Sequence, residues 1–249
     1  GRLYLSTDND YQYQAMEAFE TDVISEDVDA EFFDADGDGD LDLYVVSGGR
    51  SFSRSSSALM DRLYLNDGQA NFTKSTQSLP FSKYHSNSTI STTDFDGDGD
   101  LDLFVGERFD AFTYGVGGRG FLFSNDGNGK FTDVTESMAP RLLDLEMVTD
   151  SEWIDIDQDG DEDLILASDW GPIQLFINNG GTLQKSTAMD EFRGWWNTIA
   201  VEDIDQDGDL DIIAGNHGEN SFLQSNMRMY LSDFDQNGTK EQIICQEVD

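Results

Sequence analysis

Short runs of alternating apolar and polar residues recur along the chain. Leu41-Asp42-Leu43-Tyr44-Val45-Val46, Leu101-Asp102-Leu103-Phe104-Val105 and Leu210-Asp211-Ile212-Ile213-Ala214 have the period of two that predicts β-strands. A nine-residue acidic stretch leads into each strand. Asp94 to Asp102 reads DFDGDGDLD, Asp34 to Asp42 DADGDGDLD, Asp155 to Asp163 DIDQDGDED and Asp203 to Asp211 DIDQDGDLD. A weaker fifth copy, Asp233 to Glu241, reads DFDQNGTKE. A second apolar segment follows each of the first three copies: Arg62-Leu63-Tyr64-Leu65-Asn66-Asp67-Gly68, Phe121-Leu122-Phe123-Ser124-Asn125-Asp126-Gly127 and Ile173-Gln174-Leu175-Phe176-Ile177-Asn178-Asn179-Gly180. Each ends in an Asn/Asp-Gly type turn, a strong hairpin signal, and a short strand follows at 71–74, 130–134 and 182–185.

One unit is therefore strand, acidic loop, strand, connection, strand, turn, strand. The loops begin at 34, 94, 155, 203 and 233. Four antiparallel strands recurring at this period predict an all-β chain, a β-propeller of four-stranded antiparallel blades carrying DxDxDGxxD loops. A sandwich would not explain one loop recurring at one place in every unit. At 249 residues the chain has the length of one all-β domain. The expected blades are 28–76, 88–137, 148–187 and 196–231. The fourth is short, with only Phe222-Leu223 available for a third strand. The N-terminal Arg2-Leu3-Tyr4-Leu5 matches Arg62-Leu63-Tyr64-Leu65 and reads as the third strand of a blade. Two arrangements fit: a segment of a larger propeller, or a closed five-bladed ring whose split blade combines 1–20 with 229–249.

The loops themselves present carboxylates at positions 1, 3, 5, 7 and 9 with glycine at position 6. So many acids repel one another unless a cation joins them. Oxygen donors without His or Cys select a hard ion, and a flexible loop offering six or seven oxygens suits Ca²⁺ better than Mg²⁺. Side-chain ligands are expected at positions 1, 3, 5 and 9. In the first loop these are Asp34, Asp36, Asp38 and Asp42, in the second Asp94, Asp96, Asp98 and Asp102. The third offers Asp155, Asp157, Asp159 and Asp163, the fourth Asp203, Asp205, Asp207 and Asp211. Position 7 (Asp40, Asp100, Asp161, Asp209) is expected to give its backbone carbonyl, because Thr239 stands there in the fifth loop. That loop offers Asp233, Asp235, Asn237 and Glu241, keeps oxygen donors at lower charge, and is expected to be weak or vacant. An EF-hand would need Glu at position 12 and flanking helices. Position 12 is Val45, Val105, Leu166 and Ala214, and the flanks are strands. A solvated acidic turn without metal is the competing reading, and four near-identical copies weigh against it.

Composition sharpens the picture. The net charge is −37, which five Ca²⁺ would only partly offset. Such a surface argues against nucleic acid and anionic membranes as direct partners, and no run of 18 apolar residues spans a bilayer. Cys245 is the only cysteine, so no intrachain disulfide forms; in Gln242-Ile243-Ile244-Cys245 it reads as a small buried apolar residue. His85 and His217 are the only histidines, and no HExxH, GxSxG or Cys–His pairing is present. No catalytic residue is expected. A polysaccharide lyase or hydrolase on a calcium-stabilised propeller is the alternative, with a subunit of an extracellular assembly joined through blade edges as another. The long connections at 47–61 and 106–120 are the expected ligand surface.

The loops on β-hairpins resemble FG-GAP or VCBS repeats, the calcium-loop blades of integrin α-subunit propellers. Four stretches bring the resemblance closest to secreted acidic VCBS-repeat proteins related to the cartilage acidic protein family: Asp61 to Gly68, Asp100 to Gly106, Gly194-Trp195-Trp196-Asn197 and Gly215 to Ser221. The resemblance implies an extracellular or cell-surface propeller, usually seven-bladed, with calcium along one rim. It implies a protein or glycan ligand at surface loops, and association with other chains or with the rest of a longer polypeptide. Only five loops are present here, which departs from the seven-bladed pattern.

Overall fold

A computed structural model describes residues 1–8, 10–51, 56–77, 79, 85–110, 113–218 and 227–246. The chain opens with an antiparallel hairpin, β1 (Leu3–Thr7) and β2 (Asp10–Gln14), and a one-turn helix α1 (Glu17–Glu20). Three four-stranded antiparallel sheets follow, each in simple sequential order. The first holds β3 (Asp27–Phe33), β4 (Asp42–Ser47), β5 (Arg62–Leu65) and β6 (Thr73–Lys74). The second holds β7 (Ser86–Thr93), β8 (Asp102–Phe109), β9 (Gly120–Asn125) and β10 (Phe131–Asp133). A second short helix, α2 (Thr135–Met138), leads to the third sheet. There β11 (Met147–Ile154) and β12 (Asp163–Asp169) are separated from β14 (Gln174–Asn178) and β15 (Leu183–Lys185) by β13 (Gly171–Pro172), which pairs instead with β16 (Arg193–Gly194). Two hairpins complete the chain: β17 (Trp196–Glu202) with β18 (Asp211–Asn216), and β19 (Met227–Ser232) with β20 (Glu241–Gln246).

The period of two now acquires a physical meaning. In β4 every residue is buried, because alternate side chains enter different cores. Tyr44 and Val46 face the second sheet, while Leu43 and Val45 face Phe19 and Phe72 on the other side. In β8, Leu103 and Val105 face the first sheet and Phe104 faces the third. In β12, Leu164 and Leu166 face back and Ile165 and Ala167 face forward to Ile199 and Val201. The second and third sheets thus each share one core with the sheet before and one with the sheet or hairpin after, while the first sheet covers its outer face with α1 and Leu3; this is the stacking of propeller-type blades.

The series stops being two-sided at β18. Ile212 and Ala214 pack onto the third sheet, but Ile213 on the opposite face is 58% exposed. In β19 and β20, Tyr230 is 53% and Ile243 44% exposed. Among the described residues no strand ladder joins β1–β2 to β19–β20, and the third strand expected at Phe222-Leu223 lies outside the described residues. Cys245 is exposed. The expectation of a buried cysteine is corrected: it rested on the apolar run Ile243-Ile244 beside it, and both of those residues are themselves exposed, at 44% and 41%. Among the described residues no helix is long and apolar enough to cross a membrane.

Candidate metal centres

All five acidic loops join the first strand of a sheet or hairpin to the second, so each is held at both ends by a strand ladder. Inside the loop the position-1 carboxylate gathers backbone amides. Asp94 Oδ1 accepts from Gly97 N at 2.9 Å and Asp98 N at 3.0 Å, and its Oδ2 accepts from Gly99 N at 3.0 Å. Asp34, Asp155, Asp203 and Asp233 each accept the position-6 amide in the same way. The position-6 glycines have φ between 90° and 103°, a conformation that L side chains rarely adopt. Position 4 is also left-handed, with φ of 74° and 76° at Gly37 and Gly97 and about 60° at Gln158, Gln206 and Gln236.

This folding brings three carboxylates together in every loop. Asp34, Asp36 and Asp42 place one oxygen each within 4.8 Å of one another, and so do Asp94, Asp96 and Asp102; Asp155, Asp157 and Asp163; Asp203, Asp205 and Asp211; and Asp233, Asp235 and Glu241. Positions 1, 3 and 9 therefore converge. Position 5 stands outside the triads: Asp38, Asp98, Asp159 and Asp207 accept the position-7 amide at 3.0–3.1 Å, and Asn237 does so at 2.8 Å. The position-7 side chains also turn away. Asp161 accepts Gly180 N at 2.8 Å, while Asp40 and Asp100 lie against Gly68 and Gly127, where a Cβ would come within 3.0 Å and 2.5 Å of a carboxylate oxygen. Thr239 bonds within its own loop to Asn237 and Glu241.

Position 9 does a second job. Asp102 Oδ2 accepts Phe95 N at 3.1 Å and its Oδ1 accepts Asn125 N, on the third strand, at 2.8 Å. Asp42 binds Ala35 N and Asn66 N at 2.9 and 2.8 Å, and Asp163 binds Ile156 N and Asn178 N at 3.0 and 2.7 Å. These three carboxylates are buried, whereas Asp211 is exposed. Its loop position 2 amide, Ile204 N, still donates to it at 3.1 Å.

The donor set fits a hard divalent cation. Burial, and then repulsion from Asp38 and Asp34, raises the Asp36 carboxyl above its ordinary value; Asp96 is raised in the same way by burial and by Asp98 and Asp94. Burial lifts Asp102 to about 7 and raises Asp42 and Asp163, against the amide hydrogen bonds that favour their charged forms. Asp36 Oδ1 and Asp96 Oδ1, and at position 7 Asp40 Oδ1, are buried with no hydrogen-bond partner among the described residues. A buried, unpartnered anionic oxygen is costly, and a cation between positions 1, 3 and 9 would relieve both the repulsion and the missing contact.

The third-strand asparagines hold a contact that the hairpin signal alone does not show. Asn125 Nδ2 donates to Ala35 O, in the loop of the preceding sheet, at 2.8 Å, and Asn178 Nδ2 donates to Phe95 O at 2.8 Å. The recurrence of Asn at one register in three units is the only trace of this in the sequence. At the far ends of the second strands lies a different surface. Arg108 pairs with Asp169 at 2.7 Å, Trp170 Nε1 donates to Tyr114 Oη at 3.1 Å, and Trp170 packs edge-on to Trp195. His217 is exposed beside Trp195, whereas His85 lies against Glu107 and Phe121. The described parts of the 47–61 and 106–120 connections begin at this same end.

Fold and loops define a protein of stacked, propeller-type β-blades with an acidic triad on the first hairpin of each repeat. An FG-GAP-like repeat model matches residues 34–105 and 155–214, more than half of the chain, and the chain belongs to that family. No curated protein matches the sequence. Among solved structures 29 chains match. One is the crystal structure of BBS1N in complex with ARL6DN, soaked with lead, at 14% identity and a TM-score of 0.40, covering 87% of this chain and 56% of that one. The chain thus spans 56% of the length of that match.

Proposed function

We propose that this is an extracellular calcium-binding module, without catalytic activity, that presents a rigid stack of blades to a protein or glycan ligand. The observation that carries the reading is the convergence of positions 1, 3 and 9 in all five loops, with buried unpartnered oxygens on Asp36 and Asp96. Bound calcium would supply positive charge there and accept coordination from the carboxylate oxygens. The chain's own part is to hold the carboxylates: position 1 through loop amides, position 9 through amides of position 2 and of the third strand. Because position 9 opens the second strand and position 1 follows the first, ion binding becomes folding free energy. The closer relationship to secreted acidic VCBS-repeat proteins belongs to the same proposal, supported by the Asp61–Gly68 and Asp100–Gly106 stretches and by the charge of −37. The ligand is placed at the end opposite the metal loops, where Arg108, Tyr114, Trp170 and Trp195 gather.

Thermal melting in calcium and in excess EGTA tests the calcium reading. Free calcium at about a hundredfold over Kd contributes about 2.7 kcal/mol per site, so chelation at four sites is expected to lower Tm by more than about 10 °C. An unchanged Tm would exclude it.

A further inference from the structure

The blade seams carry a relation between neighbouring metal loops that the loops alone do not disclose. Residue 35 lies between two converging carboxylates, Asp34 and Asp36. Its N–H is held by position 9 of its own loop, with Ala35 N donating to Asp42 Oδ2 at 2.9 Å. Its carbonyl is held from the next sheet, by Asn125 Nδ2 at 2.8 Å. That carbonyl belongs to the peptide leading directly into Asp36. Asn125 is itself fixed by the neighbouring loop: its N–H donates to Asp102 Oδ1 at 2.8 Å and its Nδ2 also reaches Leu101 O at 3.1 Å. The next seam repeats the arrangement. Asn178 N donates to Asp163 Oδ1 at 2.7 Å, and its Nδ2 donates to Phe95 O at 2.8 Å, the carbonyl leading into Asp96. Both asparagines are buried. Asn66 supplies an internal contrast: its N–H donates to Asp42, but among the described residues its Nδ2 bonds only Leu41 O, in its own loop, at 3.1 Å.

We propose that Asn125 and Asn178 are positioning residues that couple each metal loop to the loop of the preceding blade, so that the calcium affinities of loops 34–42, 94–102 and 155–163 rise together. This rests on the calcium reading above. An ion that holds Asp102 holds Asn125 more firmly through these bonds, and the 35–36 peptide is then better ordered when Asp36 must converge. Ordering cost removed from the second site appears as positive coupling, and linkage makes the coupling reciprocal.

The test is amide hydrogen exchange of the full chain, resolved by peptide, across graded free calcium, which reads a separate calcium midpoint for each loop. Asn125→Ala keeps the backbone amide that serves Asp102 and removes the amide that serves Ala35. It is expected to raise the midpoint of 34–42 by about fivefold or more, whereas Asn66→Ala leaves 94–102 unchanged. Asp94→Ala, which disables the second loop, is expected to raise the midpoint of 34–42 in the parent chain and by less than about twofold in the Asn125→Ala background. Asn178→Ala, read at 94–102 with Asp155→Ala as its partner, tests the other seam independently, should Asn125→Ala fail to fold. A merely structural role would lower protection at every calcium level without moving a midpoint. An unmoved midpoint in the asparagine variants, or an equal effect of Asp94→Ala in both backgrounds, overturns the coupling and leaves the calcium reading standing. Absence of calcium-dependent protection in every loop overturns both.

Discussion

Asp61 shows how much chemistry a single buried side chain carries outside the metal loops. It is 3% exposed and accepts Ser47 N at 2.7 Å, Asn87 Nδ2 at 2.8 Å and Tyr44 Oη at 3.2 Å, at the seam between the first and second sheets. Burial outweighs these bonds and the nearby Arg62, and pushes its carboxyl from 3.8 to about 7. Because the folded value lies above the unfolded one, the folded state holds the proton more tightly. The stability this gives is complete below the unfolded value and is lost as pH rises through about 7. Denaturant midpoints measured from pH 4 to 8 in saturating calcium, which on the proposed calcium reading would keep the loop carboxylates ionised, isolate the effect. Relative to Asp61→Asn, the parent chain should lose stability steadily across that range; parallel profiles would contradict it. Nothing in Asp61-Arg62-Leu63 announces this burial, because it depends on Asn87 arriving from another sheet.

At the scale of the element, the loop and the strand after it form one unit, and position 9 separates the metal's contribution from the backbone's. Removing Asp102 leaves Phe95 N–H and Asn125 N–H without their acceptor as well as removing a triad oxygen. Removing Asp98 releases only the exposed position-7 amide. In EGTA, Asp102→Ala is therefore expected to cost about 2–6 kcal/mol, from two buried donors at about 1–3 kcal/mol each, while Asp98→Ala costs under about 1 kcal/mol. Urea unfolding of both variants in chelator measures the difference, and equal losses would refute the assignment. Much of this unit is legible in the sequence. The period of two marks β4 and β8, the Asn/Asp-Gly turns mark the ends of β5 and β9, and the odd-position acids mark the loops. The division of labour among those acids is not legible. Asp38 and Asp40 look like Asp34 and Asp36 in sequence, and only the left-handed turns at Gly37 and Gly39 send them elsewhere. The asparagine seams escape for another reason: Asn125 and Ala35 are 90 residues apart, and no local signal spans that distance.

For the whole molecule, the decisive feature is that each blade is stabilised from two sides until the C-terminal hairpins. β4, β8 and β12 send alternate residues into two cores, whereas β18 has one covered face, and no core cluster includes a residue of β19 or β20 among the described residues. In a stack whose stability is a sum of unit and nearest-neighbour terms, the one-sided units open first. The fourth and fifth loops offer the least protection against this, since Asp211 is exposed and Glu241 half-buried, where Asp42, Asp102 and Asp163 are buried. Calcium withdrawal should therefore act unevenly. Limited proteolysis in graded EGTA is expected to cleave within 196–246 at chelator levels that leave 27–185 intact, because the first three sheets retain shared cores built from Tyr44, Phe104, Phe121, Leu164 and Phe176. Simultaneous loss of the whole chain at one chelator level would show instead that the seams transmit every loop's loss to all blades, and that stability here belongs to the stack rather than to its units.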